Sequence, residues 1–367
     1  MMRFVAAEAV CVGHGLIFFA GGLGSWPRIQ NIGVLVFFVL SGFLITATLW
    51  QHSEASRSYG FGRYMIDRFA RIYSALVPAL VFIAIVDGLT LQLTGEPTIA
   101  RYYNWPTLLA NLGMLQSYRG VFDSYDMLQW SPFGSASPLW TLSIEWHIYV
   151  FAGAAFFVLR RRRLWPLLLP LIPIFAQTPA RLLFGSFSSD GLGQSLFALW
   201  LAGAALFALL SAWRPPLWLS ITILATSLAT YATMLRPEHE YDATTYPALV
   251  GVIGALIALT QRTSVLGASK AIRTAAGYSF TLYLIHHTIM LAVILTMPRA
   301  RGWLWACLII MGCNALAYVL ARPFEMKHRA FADWLAGLPV RFRHQSRTAP
   351  ARFPYVPGNG AEPAEAD

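Results

Sequence analysis

Apolar residues run through this sequence in long stretches that short polar segments separate. A helix needs about 20 apolar residues to cross the hydrocarbon core of a bilayer. Windows of that length predict about ten spanning helices, at 4–23, 32–50, 73–94, 138–159, 164–180, 193–211, 216–235, 245–261, 277–297 and 303–321. The fifth is the weakest, because it is short and rich in proline. A half-helix at 104–118 is predicted in the long loop 95–137. The pattern predicts an all-α, polytopic membrane protein.

Composition agrees with a membrane domain whose partner is a lipid bilayer. Hydrophobic residues make up 57% of the chain and charged residues 12%, against about a quarter charged in soluble domains. The net charge of +10 is the one feature that could indicate nucleic-acid binding. The cations lie between the apolar runs, where membrane topology requires them, so no nucleic-acid partner is expected.

The placement of Lys and Arg predicts the orientation. With a cytoplasmic N-terminus, 20 of the 27 Lys and Arg residues fall on the cytoplasmic side, which is the excess that the positive-inside rule requires. Both termini are therefore expected in the cytoplasm, and the acidic loop 236–242 outside. We expect a transmembrane domain over 1–325, followed by a mostly disordered tail over 326–367.

Ionisable side chains within the predicted spans are few, and such residues are functional candidates by default. Asp87 is close to a helix end and is expected to reach water. The three cysteines show no disulfide or zinc spacing, so they are expected to be packing residues and no metal is predicted. The remaining candidates are Glu8, His14, Glu145, His147, His286 and His287.

Arg3 and His14 share one face of the first helix. They are eleven positions apart, which places them within about 20° of each other and roughly 16 Å apart along the axis. One face could thus hold a phosphate-binding cation and a titratable base; a topology anchor and a core histidine are the alternative. Glu145 and His286 are predicted at a depth similar to that of His14. Glu145 could orient the imidazole, or these groups could form a buried polar network.

A second pair of cations precedes the third span. Arg68 and Arg71 are three positions apart, so they share a helix face. Their guanidinium groups are planar and permanently charged, which suits phosphate binding. Anchoring at the cytoplasmic surface explains the pair equally well at this stage.

Six fragments in order carry a resemblance to a known family. They read RFVAAEAVCVGH, GVLVFFVLSGFLI, RFAR, PLWTLSIEWHIYV, YSFTLYLIHHTIM and RPFE, at 3–14, 33–45, 68–71, 138–150, 278–290 and 322–325. Together they resemble the bacterial membrane acyltransferase 3 family, which includes O-acetyltransferases of O-antigen, exopolysaccharide and peptidoglycan.

The resemblance implies an enzyme of the bacterial inner membrane that moves an acyl group, most simply acetyl, from cytoplasmic acyl-CoA to a hydroxyl of an extracytoplasmic saccharide. Exopolysaccharide, lipopolysaccharide or a lipid-linked saccharide would be the acceptor. It implies no tightly bound cofactor, and it leaves room for a separate periplasmic partner. The implied donor-binding residues are Arg3, Arg68 and Arg71. The implied catalytic residues are His14, which would deprotonate the acceptor or relay the acyl group, and Glu145, which would orient the histidine or bind the acceptor. Further candidates within the motifs are His286, Ser41, Trp140 and Ser143.

The chain departs from the family pattern at several positions. Leu35 stands where many members have Asp, and His287 and Thr288 replace a usual Trp-Pro, so no role is carried over there. A transporter of an acyl donor or glycan, with the same residues as a proton relay, is the alternative function. No internal repeat supports it. A purely structural scaffold would leave six motifs unexplained.

Overall fold

In a computed structural model the chain forms an all-α bundle. The structure describes residues 2–22, 27–56, 59–116, 130–160, 165–176, 195–237, 239–262 and 270–345. Within these ranges there is no β-strand, and Gln116 and Trp130 form an isolated bridge. The prediction of an all-α polytopic membrane protein is confirmed.

The helices follow the apolar runs. They are α1 (Met2–Ala20), α2 (Ile29–Ala55), α3 (Phe61–Thr94), α4 (Pro97–Tyr102), α5 (Trp105–Leu112), α6 (Leu139–Arg160), α7 (Leu196–Ala212), α8 (Leu217–Met234), α9 (Tyr246–Thr260), α10 (Lys270–Thr296), α11 (Trp303–Ala321) and α12 (His328–Gln345). A short apolar helical stretch, Pro166–Ala176, lies between α6 and α7.

Each predicted span coincides with an apolar helix in the described part of the chain, although two of the ten are short. Eight helices there are long and apolar enough to cross a bilayer, namely α1, α2, α3, α6, α8, α9 with the turn before it, α10 and α11. The two shorter ones are α7, with 17 residues, and the proline-rich Pro166–Ala176. The half-helix predicted at 104–118 is the eight-residue α5.

Close helix packing brings the functional faces together. A Cβ added to Gly42 of α2 or to Gly203 of α7 would collide with the backbone of the facing helix, at Trp200 and Val39 respectively. Small residues let membrane helices approach in this way. Helix α1 contacts α2, α10 and α11, and this packing turns His14 towards α10.

The bundle has one strongly basic end. This basic end holds the N-termini of α1 and α3 and the C-termini of α2 and α6, where Arg160 pairs with Glu54. At the opposite end, the N–H of Gly302 before α11 donates to the carbonyl of Phe19 in α1 at 2.6 Å.

Helix α12 occupies the first part of the segment expected to be mostly disordered. It packs on α3 with Ala332 buried, and Asp333 pairs with Arg63 of α3 at 2.7 Å. Apolar residues recur here at helical spacing among the charges, which is the pattern of an amphipathic helix. His328–Gln345 of this segment therefore form a helix, and residues 346–367 lie outside the described ranges.

Candidate active site

Three histidines meet where α1 packs against α10. His14 Nδ1 lies 2.9 Å from His286 Nε2, and the two rings stack with centroids 5.1 Å apart. The ring of His287 stands edge-on to that of His14, with centroids 5.3 Å apart. His286 is fully buried, whereas His14 and His287 are partly exposed. The fold thus joins residues that the sequence places only at similar depth.

The hydrogen-bond network assigns the tautomers of this pair. His286 Nδ1 lies 3.0 Å from the carbonyl oxygen of Leu282, and because a carbonyl can only accept, this nitrogen carries the proton. His286 Nε2 is then an acceptor, and His14 Nδ1–H donates to it. The lone pair of a neutral His14 is consequently on Nε2, which is the atom that a general base uses.

A partly buried loop, residues 130–138, supports the cluster. The Nδ1–H of His287 donates to the carbonyl of Ser135 at 2.7 Å, and Ser135 Oγ donates to Thr288 Oγ1 at 2.7 Å. The N–H of Ser135 donates to Asp87 Oδ2 at 2.8 Å. Asp87 is therefore buried because it holds this loop, and the expectation that it reaches water is wrong.

Glu145 lies beside a tyrosine and a serine, not beside His14. Its Oε2 accepts a hydrogen bond from Tyr149 Oη at 2.9 Å, and Tyr149 Oη lies 3.1 Å from Ser41 Oγ. Within the described residues Glu145 makes no hydrogen bond with His14. The hydrogen-bond partner of His14 in this structure is His286.

A small internal cavity adjoins Arg3. Arg3, Glu145 and Tyr283 line it. Tyr283 Oη lies 2.7 Å from Thr141 Oγ1, and its ring centroid is 6.1 Å from that of His286. Polar groups therefore follow one another from Arg3 to the histidine pair.

A larger pocket of about 570 Å³ opens at the basic end between α1, α2, α3 and α12. This volume is in the range of ligand sites. Arg3 lines both the basic pocket and the internal cavity, so the two are neighbours. The ionisable residues of the basic pocket are Arg3, His52, Arg63, Asp67, Arg68, Arg71, His328, Arg329 and Asp333.

Carboxylates neutralise some of these arginines and leave others charged. Arg63 pairs with Asp333 at 2.7 Å. Arg71 pairs with the fully buried Glu325 at 3.0 Å. Arg68 makes no ion pair among the described residues, and its Nε is a buried donor without a hydrogen-bond partner there. The pocket therefore keeps unpaired positive charge.

Glu325 also ties the last part of the chain to α10. Its Oε2 accepts from the N–H and the Oγ1 of Thr281, at 2.9 Å and 2.7 Å. Arg71 is thereby held against a fixed carboxylate. Burial lowers the pKa of nearby His328, and the charge of Arg71 adds to this effect. His328 is therefore protonated less readily than a free imidazole, and the arginines supply permanent positive charge to the pocket.

The sequence model of a family described as "Acyltransferase domain" matches residues 1–322, which is most of the chain. This chain belongs to that family. The resemblance to membrane acyltransferases that the six fragments carry is therefore confirmed. No solved structure matches this acyltransferase-family chain.

A curated relative of the acyltransferase domain is the peptidoglycan O-acetyltransferase OatA of Listeria monocytogenes. The two are 33% identical over 136 residues. The alignment covers 34% of this chain and 20% of the relative, so the chain spans about a fifth of the length of the curated relative it matches.

Two of the remaining candidates hold the acyltransferase domain together. Ser143 Oγ donates to the carbonyl of Met114 at 2.8 Å, and Trp140 packs partly buried against the core. His147 is buried next to Phe175, with ring centroids 5.6 Å apart. Within the described ranges, no group of three His, Cys, Asp or Glu could hold a metal ion.

Sequence reasoning missed two supports of the site. The RPFE fragment contains the signal for one of them, since its glutamate is the partner of Arg71. The other, the bond from His287 to Ser135, joins residues 152 positions apart. Ser135 lies in a loop without a distinctive pattern, so no local signal could have found it.

Proposed function

We propose that this chain is a membrane O-acyltransferase, most simply an O-acetyltransferase, that transfers an acyl group from acyl-CoA to a hydroxyl of a saccharide on the other side of the membrane. The observation that carries the proposal is His14 Nε2, whose lone pair is oriented by His286. It lies on a helix that also brings Arg3 into the basic pocket. The family and the O-acetyltransferase relative support acyl transfer.

The basic pocket is the proposed site of the nucleotide of acyl-CoA. That nucleotide carries phosphate groups, and guanidinium groups bind phosphate through charge-assisted, often bidentate hydrogen bonds. Arg3 and Arg68 make no ion pair among the described residues, so their charges are available to a ligand. The positive-inside rule favours a cytoplasmic basic end in the bacterial inner membrane, with both termini on that side.

The acyl arm is proposed to follow α1 from the pocket to the histidines. Roughly 16 Å separates positions 3 and 14 along the helix axis. The internal cavity at Arg3, which Glu145 and Tyr283 also line, adjoins the start of this proposed path. The pantetheine arm of CoA is long enough to lie along this face of α1.

His14 is proposed to act as the general base. Its Nε2 takes the proton of the acceptor hydroxyl while that oxygen attacks the thioester carbonyl carbon. The carbon–sulfur bond breaks, the acyl group stays on the acceptor oxygen, and the proton on His14 passes to the leaving CoA thiolate. The hydrogen bond from Nδ1 to His286 keeps the ring in place during both transfers.

The test is acyl transfer by the purified full chain in liposomes, with acetyl-CoA and a panel of saccharides. We expect free CoA and an acetyl ester on the acceptor, and a loss of about 10²–10⁴-fold in His14→Ala with acetyl-CoA binding retained. His147→Ala, which removes a buried histidine elsewhere, is the matched control. Movement of intact donor or saccharide across the vesicle without CoA release would overturn the proposal in favour of a transporter.

A further inference from the structure

His287 presents a second imidazole lone pair next to His14. Its Nδ1–H donates a hydrogen bond to the carbonyl of Ser135 at 2.7 Å, so a neutral His287 carries its lone pair on Nε2. Neither this Nε2 nor that of His14 has a hydrogen-bond partner among the described residues. Neither is among the buried unpaired polar atoms there. Two acceptor nitrogens are therefore accessible on rings whose centroids are 5.3 Å apart.

The ring of His287 is held in one orientation. The carbonyl that fixes its Nδ1 belongs to a loop pinned by Asp87 Oδ2 and by Thr288. The ring of Phe18 stands edge-on to His287, with centroids 5.3 Å apart, and forms an apolar wall. A ring fixed at one nitrogen presents the other nitrogen in a defined direction, which a selective site needs.

We propose that His287 determines acceptor specificity: its Nε2 accepts a hydrogen bond from a second hydroxyl of the saccharide, on the carbon next to the hydroxyl that His14 deprotonates. The inference rests on the proposed function and names the acceptor class as a vicinal diol. Each O–H···N bond spans about 2.8 Å, so oxygens on neighbouring carbons can reach both rings. A lone alcohol would leave the lone pair of His287 without this hydrogen bond, which costs free energy.

The alternative role for His287 is to hold the loop of residues 130–138 in place. Substitution by Asn and by Gln distinguishes this role from acceptor recognition. In His287→Asn the side-chain amide takes the place of Nδ1, keeps the bond to Ser135 and has no group at the Nε2 position. In His287→Gln the amide reaches the Nε2 position and can accept there, but the bond to Ser135 is lost. Thr288→Val loosens the same loop without touching the imidazole.

The measurement is kcat/KM for a saccharide that the unaltered protein acetylates, taken from a panel of methyl hexopyranosides and N-acetylglucosamine oligosaccharides. The saccharide is compared with its analogue that lacks the hydroxyl on the carbon next to the acetylated position. We expect the unaltered protein to prefer the diol about tenfold, the worth of one such bond. His287→Asn should reduce the preference to about one with unchanged thermal stability, by the same loss of one bond. His287→Gln should keep part of the preference for the diol and have a lower melting temperature. Thr288→Val should keep the full preference.

Four results would decide against the inference. A tenfold preference that persists in His287→Asn, or no preference in the unaltered protein, overturns it while acyl transfer stands. A preference lost equally in Thr288→Val assigns the effect to the loop and overturns it as well. If the unaltered protein releases no CoA with any acceptor, the proposed function itself fails and the inference falls with it.

Discussion

His286 is the residue whose replacement tests the hydrogen-bond chain most directly. His286→Ala removes the acceptor of the bond from His14 Nδ1, which is 2.9 Å long. The imidazole of His14 can then rotate and take the other tautomer. The base itself remains, so transfer should fall less than in His14→Ala.

The size of the loss follows from the charge on His14 after it has taken the proton. A hydrogen bond to a charged group contributes about 1.5–3 kcal/mol, and about 1.4 kcal/mol is a factor of ten. We therefore expect kcat to fall about tenfold to 150-fold. The KM for acetyl-CoA should change little, because the basic pocket is at the far end of α1. His286→Gln, whose amide oxygen can accept the same bond, should recover part of the loss.

The assay is the liposome transfer reaction with His14→Ala, His286→Ala and the variant that carries both substitutions. Because His286 acts through His14, the double variant should be no slower than His14→Ala alone, which is the behaviour of residues that act as a unit. Losses that multiply would show that His286 reaches the reacting groups independently. That result would refute the chain from Leu282 through His286 to His14.

Three further expectations concern the basic end. Arg68→Ala should raise the KM for acetyl-CoA about tenfold or more, through the loss of a charge-assisted bond. Arg160→Ala at the same end should leave this KM unchanged. Equal KM values in the two variants would mean that Arg68 only anchors the helix at the membrane surface. Arg71→Ala should lower the free energy of unfolding by about 3–5 kcal/mol, because Glu325 is left as a buried charge without its ion-pair partner. A thermal melt in detergent checks this. In a cysteine-free background, a cysteine at position 236 should react with an impermeant reagent in intact cells and one at position 160 should not; the reverse pattern contradicts the orientation.

The sequence was sufficient for features that depend on local pattern. Apolar runs of spanning length predict the long helices, because the bilayer demands internally satisfied backbone hydrogen bonds. The helical period alone places Arg3 and His14 on one face of α1. The basic pair Arg68 and Arg71 is likewise a local signal, and both residues line the basic pocket.

Contacts between distant segments were beyond such reasoning. Similar depth suggested that Glu145 orients His14, and only the packing of α1 on α10 shows that the hydrogen-bond partner of His14 is His286. Asp87 looked like a helix-end residue because its partner, Ser135, lies in a loop whose path the sequence does not specify. Helix α12 was missed because its few apolar residues are diluted by charge.

Glu145 provides the last test, because its surroundings separate it from the histidines. It lines the internal cavity with Arg3 and accepts from Tyr149 at 2.9 Å. Glu145→Gln keeps the side-chain shape and an oxygen for Tyr149, and removes only the negative charge that faces Arg3. We therefore expect a smaller fall in kcat than for His14→Ala, measured in the transfer assay.

The decisive measurement is the combination of Glu145→Gln with His286→Ala. Groups that share no partner act independently, so their losses should multiply. In the described residues Glu145 and the His14–His286 pair have no hydrogen bond in common. Multiplied losses would place Glu145 on the path of the donor, beside Arg3. A double variant no slower than His286→Ala would instead mean that Glu145 acts through the imidazole of His14. That role was suggested by the similar membrane depth that the sequence predicts for the two residues. The Glu145 side of the cavity and the histidine pair would then be coupled during the reaction.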